Sequence, residues 1–329
     1  MDELYQLSLA LTTWLQESYP GLLGIMRIVS AMGEELFFLL VLPAVYWSLD
    51  KRLGRQLGYI FLLSVTVNNI AKNAFRQPRP FWLDPAVQRS EVEGYGLPSG
   101  HVQNATAILL LLAIWLRRRW LWLVALVAIL LMALSRFYLG VHFLQDVIGG
   151  FILGLLVLGM FLLWRGLFAE RFGKHILGRR LLMMVFIPAA LAAAYGVILF
   201  LIGAPNLDVP WAARIPAAEL NAHEDAVTGL AGLLGFGLGM ILESSRIRFR
   251  VDGPAWQRVV RYGVGIVVAV GIWAGLRAVF PSQPEWLALP LRFLRYLLLL
   301  LWVTYFAPWV FVKLRLATAD PESEVRVTL

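Results

Sequence analysis

The chain has no cysteine. Disulfides, thiolate catalysis and cysteine-ligated metals are therefore excluded. Charge is also scarce. Asp, Glu, Lys and Arg make up 15% of the 329 residues, against roughly a quarter in an average soluble domain. The chain is mostly apolar instead. Hydrophobic residues account for 60% of it, and the mean hydropathy is +0.72. Apolar runs of about 20 residues recur, each long enough to enter a bilayer. These features point to an all-α fold, that of a polytopic helical membrane protein. In a soluble chain the +8 formal charge would suggest nucleic acid. Here no nucleic-acid partner is expected, and the excess is assigned to loops facing the cytoplasm. The opening MDELYQLSLALTTWLQESYP is acidic before it is apolar, so it lacks the basic n-region of a cleaved signal peptide.

Leu4, Leu7, Leu11, Trp14 and Leu15 recur at helical spacing with polar residues between them. That predicts an amphipathic helix on the membrane surface, which residues 22–33 would extend. Spans are expected near 35–49, 57–75, 102–116, 120–135, 143–164, 181–203, 226–242, 262–280 and 294–312. Placing the DKRLGR loop inside puts the Lys- and Arg-rich loops at 117–119, 165–180 and 244–261 inside as well. The opposite loop, 204–225, carries Asp208, Glu219, Glu224 and Asp225 against a single Arg214. Residues 76–100 and 135–146 then face the outer side.

Polar chemistry gathers on that side. SRFYLGVHFLQD (135–146) lies between two spans, where an Arg, a His and an Asp are expensive. His142 and Asp146 are four apart, so a helix would place them on one face. The carboxylate would fix one imidazole nitrogen and leave the other free as a base or nucleophile. Arg136 offers a fork of donors that suits two phosphate oxygens. KNAFRQPRP supplies Lys72 and Arg79. LPSGH places Ser99 as a helix N-cap, Gly100 where backbone can approach closely, and His101 in the first turn. Lys72, Arg79 and Arg136 with the Ser99–Gly100 donors would stabilise charge on a phosphate ester, and the two histidines would share attack and protonation. No metal or other cofactor is needed, and no ligand set for one is evident.

Lys72-x6-Arg79-Pro80, Pro98-Ser99-Gly100-His101 and Ser135-Arg136-x5-His142-x3-Asp146 together resemble the three signature motifs of the type 2 phosphatidic acid phosphatase superfamily. Three motifs in order are far more specific than any one of them. The resemblance covers roughly residues 35–165. It implies His142 as a nucleophile forming a phosphohistidine, Asp146 as its orienting carboxylate, and His101 as general acid and then base. It also implies that Lys72, Arg79, Ser99, Gly100 and Arg136 hold the phosphate. The family's core is a six-helix bundle, in which the amphipathic N-terminal segment could stand in for the first helix.

Three regions are therefore expected: an interfacial segment (1–34), a phosphatase helix bundle (35–165), and an extension of about four transmembrane helices (166–329) with no recognised catalytic motif. The expected activity is metal-independent hydrolysis of a membrane lipid phosphate. Polyprenyl (di)phosphate, phosphatidate-like lipid and phosphatidylglycerophosphate are the candidate substrates. A phosphotransferase using the same site, or a lipid-phosphate binding or transport protein, are the alternatives. The expected location is a bacterial cytoplasmic (inner) membrane, with the site on its extracytoplasmic face. Bland readings stand beside these. Arg136 or Lys72 alone would be interfacial anchors. Arg76, Arg89, Glu91 and Glu93 read as solvated loop charges, His175 as part of a solvated face, and His223 as a loop residue. Glycines from Gly229 to Gly239 read as close helix packing within the monomer, with a homodimer seam as the alternative.

Overall fold

The computed structural model describes residues 2–320; the rest of the C-terminal region, 321–329, lies outside the described residues. The chain is helical: α1 (Asp2–Ser18), α2 (Leu23–Ala31), α3 (Glu35–Ala44), α4 (Lys51–Phe75), α5 (Pro80–Leu83), α6 (Gly100–Leu116) and α7 (Arg119–Tyr138), followed by α8 (Leu144–Leu167), α9 (Ala169–Gly173), α10 (Leu177–Ile202), α11 (Ile215–Arg246), α12 (Ala255–Val279), α13 (Glu285–Leu301) and α14 (Ala307–Lys313). Among the described residues, the β pairing is an isolated bridge between Phe249 and Ala319.

Fewer helices can span a bilayer than hydropathy suggested. Among the described residues, six are long and apolar enough, or up to seven when a bent pair is counted as one span. The pair is Pro20–Ala31 with Glu35–Leu49, bent by 52°. The expected 35–49 span is thus one limb of a broken element. The expected 57–75 span lies within α4, whose Asn68, Asn69, Lys72 and Asn73 dilute its apolar character. α6 is apolar but has only 17 residues. In the extension the count is as expected, with four apolar spans from Leu177 to Lys313. α11 starts at Ile215, so much of the expected outer loop 204–225, His223 included, is helical.

Burial follows the lipid logic of a membrane protein. On α7, Ala125, Ile129, Met132, Ser135 and Arg136 are buried, while Leu123, Leu126, Val127, Leu130 and Leu134 are exposed. A single inward stripe at helical spacing, with aliphatic residues elsewhere, fits a helix whose outer face meets acyl chains. α1 shows the same inversion. Its buried side chains are Tyr5, Ser8, Thr12 and Gln16, and Leu4, Leu7, Leu11 and Trp14 face outward.

The chain forms two compact units. The first gathers the N-terminal segment through Phe38, Ser64–Leu158 and Tyr195–Ala226. In it α1 is tied to loops through Tyr5 Oη, which donates to Gln77 Oε1 at 2.6 Å, and Gln16 Nε2, which donates to the carbonyls of Val87 and Tyr138, each at 2.8 Å. Arg76 is not a solvated loop charge. Its guanidinium grips both carboxylate oxygens of Glu219 at 3.0 Å, and Tyr95 Oη donates to the same carboxylate at 2.5 Å.

The second unit comprises Leu39–Leu63, Gly159–Ala194 and the chain from Val227 onward. Trp47, Phe236, Phe249 and Phe311 lie in its core, and Trp47 Nε1 donates to the Val303 carbonyl at 2.8 Å. A buried Glu243 carboxylate pairs with Lys51 at 2.6 Å and accepts the Phe249 N–H at 2.9 Å. The close approaches at Gly235, Gly237 and Gly239 are to Leu297, Met184 and Thr304 of the same chain.

Gly154 on α8 faces α6. A Cβ there would lie 2.7 Å from Thr106 Cβ and 2.8 Å from the Gln103 carbonyl oxygen. Gly154→Leu should therefore destabilise the protein by about 1–3 kcal/mol through overpacking. Thermal unfolding in detergent reads this, and an unchanged midpoint would mean that the two helices do not pack this closely.

Candidate active site

Three segments of the first unit converge. The last is built by the turn after α7. Gly140 adopts φ +67, a left-handed conformation that glycine takes without steric cost, and His142 follows before α8 begins at Leu144. His142 and Asp146 therefore do not share a helix throughout, yet they meet: His142 Nδ1 is 3.3 Å from Asp146 Oδ2. The same carboxylate oxygen accepts the Phe143 N–H at 2.9 Å. Both side chains are buried, Asp146 completely. Tyr5 of α1 lies against this turn, its ring centroid 4.5 Å from that of Phe143.

The middle segment is fastened to the last by main chain. Ser99 N–H donates to the Asp146 carbonyl at 2.9 Å. Ser99 occupies the N-cap position of α6, but its hydroxyl makes no capping bond, which corrects the expected role. The hydroxyl is buried and has no hydrogen-bond partner among the described residues. Gly100 is packed against Asn68, whose Oδ1 would lie 3.0 Å from a Cβ at that position. Behind it runs a polar ladder between α4 and α6. Asn68 Nδ2 donates to Gln103 Oε1 at 2.7 Å and to the Pro98 carbonyl at 3.3 Å. Gln103 Nε2 donates to the Ser64 carbonyl at 2.8 Å, and Ser64 Oγ to Asn104 Oδ1 at 2.7 Å. In the sequence Asn68 stands as a polar residue inside the expected 57–75 span. A cluster of amides at helical spacing was the available signal for this ladder.

The first segment supplies Lys72, half-buried in the last turn of α4, and Arg79, which is buried. Three carbonyls hold the Arg79 guanidinium: Gly94 on Nε at 2.7 Å, Glu93 on Nη2 at 2.7 Å and Val141 on Nη1 at 3.0 Å. Nη1 also lies 3.5 Å from His142 Nε2. A guanidinium has five N–H donors, so donors remain beside the imidazole nitrogen that Asp146 leaves free. Arg136, also buried, donates through Nη1 to Ser30 Oγ, and its Nε has no partner among the described residues.

The sequence-derived site residues thus come together. Arg79, Arg136, Lys72 and His101 all act electrostatically on His142. Burial first, and then these cations, push the His142 imidazole well below its ordinary value. Both influences favour the neutral imidazole. What the sequence reading missed is the break between α2 and α3. Ser30, in the last turn of α2, reaches Arg136, and Glu34 Oε1, in the break, lies 3.5 Å from His101 Nε2. The arrangement suits a tetrahedral anion held by buried cations, with one imidazole behind it and another beside it. Among the described residues, no group of three or more His, Asp or Glu is placed to hold a metal.

The geometry assigns Arg79 more than charge. Arg79→Lys keeps the charge but cannot occupy three carbonyls and still face His142. It should weaken binding of inorganic vanadate by about tenfold or more. Calorimetry on the detergent-solubilised protein reads this, and wild-type affinity in the variant would remove Arg79 from the anion site.

Comparison with known proteins gives an independent view of the same segments. A family described as "PAP2 superfamily" matches residues 53–170, and one described as "PAP2 superfamily phosphatase, transmembrane extension" matches residues 227–319. The chain is similar to sphingosine-1-phosphate phosphatase 2 of Mus musculus, 35% identical over 133 residues, which is 38% of this chain and 37% of that protein. It is similar to the undecaprenyl-diphosphatase of Sulfolobus acidocaldarius, 29% identical over 136 residues, or 40% of this chain and 65% of that protein. It is also similar to phosphatidylglycerophosphatase B of Bacillus subtilis, 30% identical over 159 residues, or 44% of this chain and 72% of that protein. The chain spans about a third of the length of the sphingosine-1-phosphate phosphatases it matches. No solved structure matches it. With matches to both the core and its transmembrane extension, and with a relative covered over most of its length, this chain belongs to the PAP2 superfamily.

Proposed function

We propose that the protein is an integral-membrane lipid phosphatase that hydrolyses a phosphate monoester or diphosphate of a membrane lipid. One observation carries the reading: a neutral, buried His142, backed by Asp146 at 3.3 Å, has its other ring nitrogen 3.5 Å from the Arg79 guanidinium. In the proposed reaction His142 Nε2 attacks phosphorus while Asp146 holds the Nδ1 proton. The bond from phosphorus to the lipid oxygen breaks, and His101 gives its proton to the departing alkoxide. Arg79, Arg136, Lys72, the Ser99 hydroxyl and the N–H groups at the start of α6 take up charge on the phosphoryl oxygens. His101 then removes a proton from water, whose oxygen attacks the phosphohistidine. The P–N bond breaks, inorganic phosphate leaves, and both histidines return to their starting states. No step draws on a metal ion.

The substrate class follows from the relatives and from the setting. The relatives' names span sphingosine 1-phosphate, undecaprenyl diphosphate and phosphatidylglycerophosphate. What these share is a phosphate on a lipid whose tail stays in the bilayer while the head reaches His142. The proposed location of the site is the extracytoplasmic face of a bacterial cytoplasmic membrane. Supporting this, α6 and α7 both start or end at the Arg117–Arg119 turn. α7 runs about 25 Å from that turn to Arg136 and the proposed catalytic segment. A basic turn at one end favours the cytoplasm there and the opposite face for the site.

The test is phosphate release from a panel of sphingoid, prenyl and glycerol lipid phosphates in detergent. Wild type should turn over at least one of them, in chelator as well as without it, and His142→Ala should lose about four orders of magnitude or more. Lipid-phosphate binding without release by wild type would favour a binding or transport protein, and strict dependence on a divalent ion would remove the metal-free mechanism. The pH dependence has a definite sign. Because burial and cations depress His142, kcat/KM should hold as pH falls through about 6.5, the ordinary imidazole value. An acid limb centred there would show that the nucleophile titrates normally and is not buried among cations.

A further inference from the structure

The reaction above uses His101 first as an acid and then as a base, but gives Glu34 no part. Glu34 stands in the break between α2 and α3, outside all three motifs. The break and the last turn of α2 make three approaches to the site. Ser30 accepts from Arg136. Gly33 lies so close to the His101 ring that a Cβ there would overlap Cδ2, with Cγ at 2.8 Å. Glu34 Oε1 lies 3.5 Å from His101 Nε2, near enough for an ion pair and longer than a hydrogen bond. Nε2 is buried with no hydrogen-bond partner among the described residues, whereas the Glu34 side chain is 53% exposed.

The groups facing His101 from the other elements are Arg136 on α7, Lys72 on α4 and His142 in the turn before α8. Burial first, then Arg136 and more weakly Lys72, oppose a second proton on the His101 imidazole and together push it down to about 4, with Glu34 acting the other way. A general acid, however, must carry that proton when the lipid arrives. Glu34 supplies the opposing charge.

We propose that Glu34 is a positioning residue for His101. Its carboxylate favours the proton on Nε2, opposing burial, Arg136 and Lys72, and Gly33 leaves the space in which the imidazole meets it. This inference rests on the phosphatase reading above. The proton account closes without consuming Glu34. The Nε2 proton passes to the lipid alkoxide as the P–O bond breaks, and water returns a proton to Nε2 as the P–N bond breaks. Glu34 remains a carboxylate throughout, and its exposed position lets the leaving-group oxygen take its place at Nε2. His101 holds the Glu34 carboxyl below its ordinary value, against burial that pushes the other way, so the charge is present at neutral pH.

The experiment compares wild type, Glu34→Gln and Glu34→Asp by histidine-selective isotope labelling and NMR titration in detergent, with His101 assigned from a His101→Gln sample. In Glu34→Gln the His101 midpoint should fall by about one pH unit, and the alkaline limb of kcat should move down equally with little change in KM. Glu34→Asp should restore part of both. A His101 midpoint that is the same in wild type and Glu34→Gln overturns the proposal, whatever the activity. A shifted midpoint in a protein that releases phosphate from no lipid supports the Glu34–His101 contact and counts against the phosphatase reading instead.

Discussion

A carboxylate buried without any solvent contact holds this site together. Ionised, the Asp146 side chain would cost several kcal/mol to remove from water if it were unpaired. The Phe143 N–H, the His142 imidazole and nearby cations offset part of that cost, while the second carboxylate oxygen has no hydrogen-bond partner among the described residues. The main chain of the same residue receives the Ser99 N–H. In the proposed mechanism this one residue fixes the tautomer of the nucleophile, and in the structure it binds the turn that carries His142 and the segment that ends in His101. Arg79 completes the tie, because one of its three carbonyl partners, Val141, precedes His142 directly. Motifs far apart in the chain become one rigid constellation, and little reorganisation is left for the moment of reaction.

A membrane setting explains why so many polar side chains point inward. In the first unit the buried side of α1 carries Tyr5, Ser8, Thr12 and Gln16, and α4 with α6 buries Ser64, Asn68, Gln103 and Asn104. In a soluble core such groups would be a liability. Next to lipid they are better satisfied by one another and by loop carbonyls, while leucines and valines take the outer face. The polar ladder behind Gly100 also lines the start of α6, whose first-turn N–H groups and unpartnered Ser99 hydroxyl serve the proposed phosphate contacts. The segment Tyr195–Ala226 belongs to the same unit, through Glu219 on Arg76 and Tyr95 and through Asn221 on Glu93. Part of the C-terminal extension thus braces the loop whose carbonyls hold Arg79.

The site was legible in the sequence to the extent that it is local. His142 and Asp146 lie four residues apart, and Ser99, Gly100 and His101 are adjacent, so spacing alone placed them near one another. Lys72, Arg79 and Arg136 could be joined to them because the family pattern orders all three segments. Contacts made across the fold left no such trace. Ser30 lies in the segment read as extending the amphipathic helix and Glu34 at the edge of the expected 35–49 span, and nothing local marks a carboxylate there as facing an imidazole. Arg76 looked like a solvated loop charge because Glu219, its partner, is far along the chain. Hydropathy overcounted the spans for a related reason. α4 is long enough to cross, but polar side chains that serve the interior lower its apolar character, and the pair before it is broken at the point where Glu34 approaches the site.

The most direct test asks where the phosphoryl group rests between the two steps. His101→Ala should slow the release of that group, since water would lack its base. Incubating this variant with a radiolabelled lipid phosphate, quenching in alkali and mapping the labelled peptide would locate the intermediate. The account predicts an alkali-stable, acid-labile label on His142. Label on another residue, or steady turnover with no label on His142 at any quench time, would contradict it.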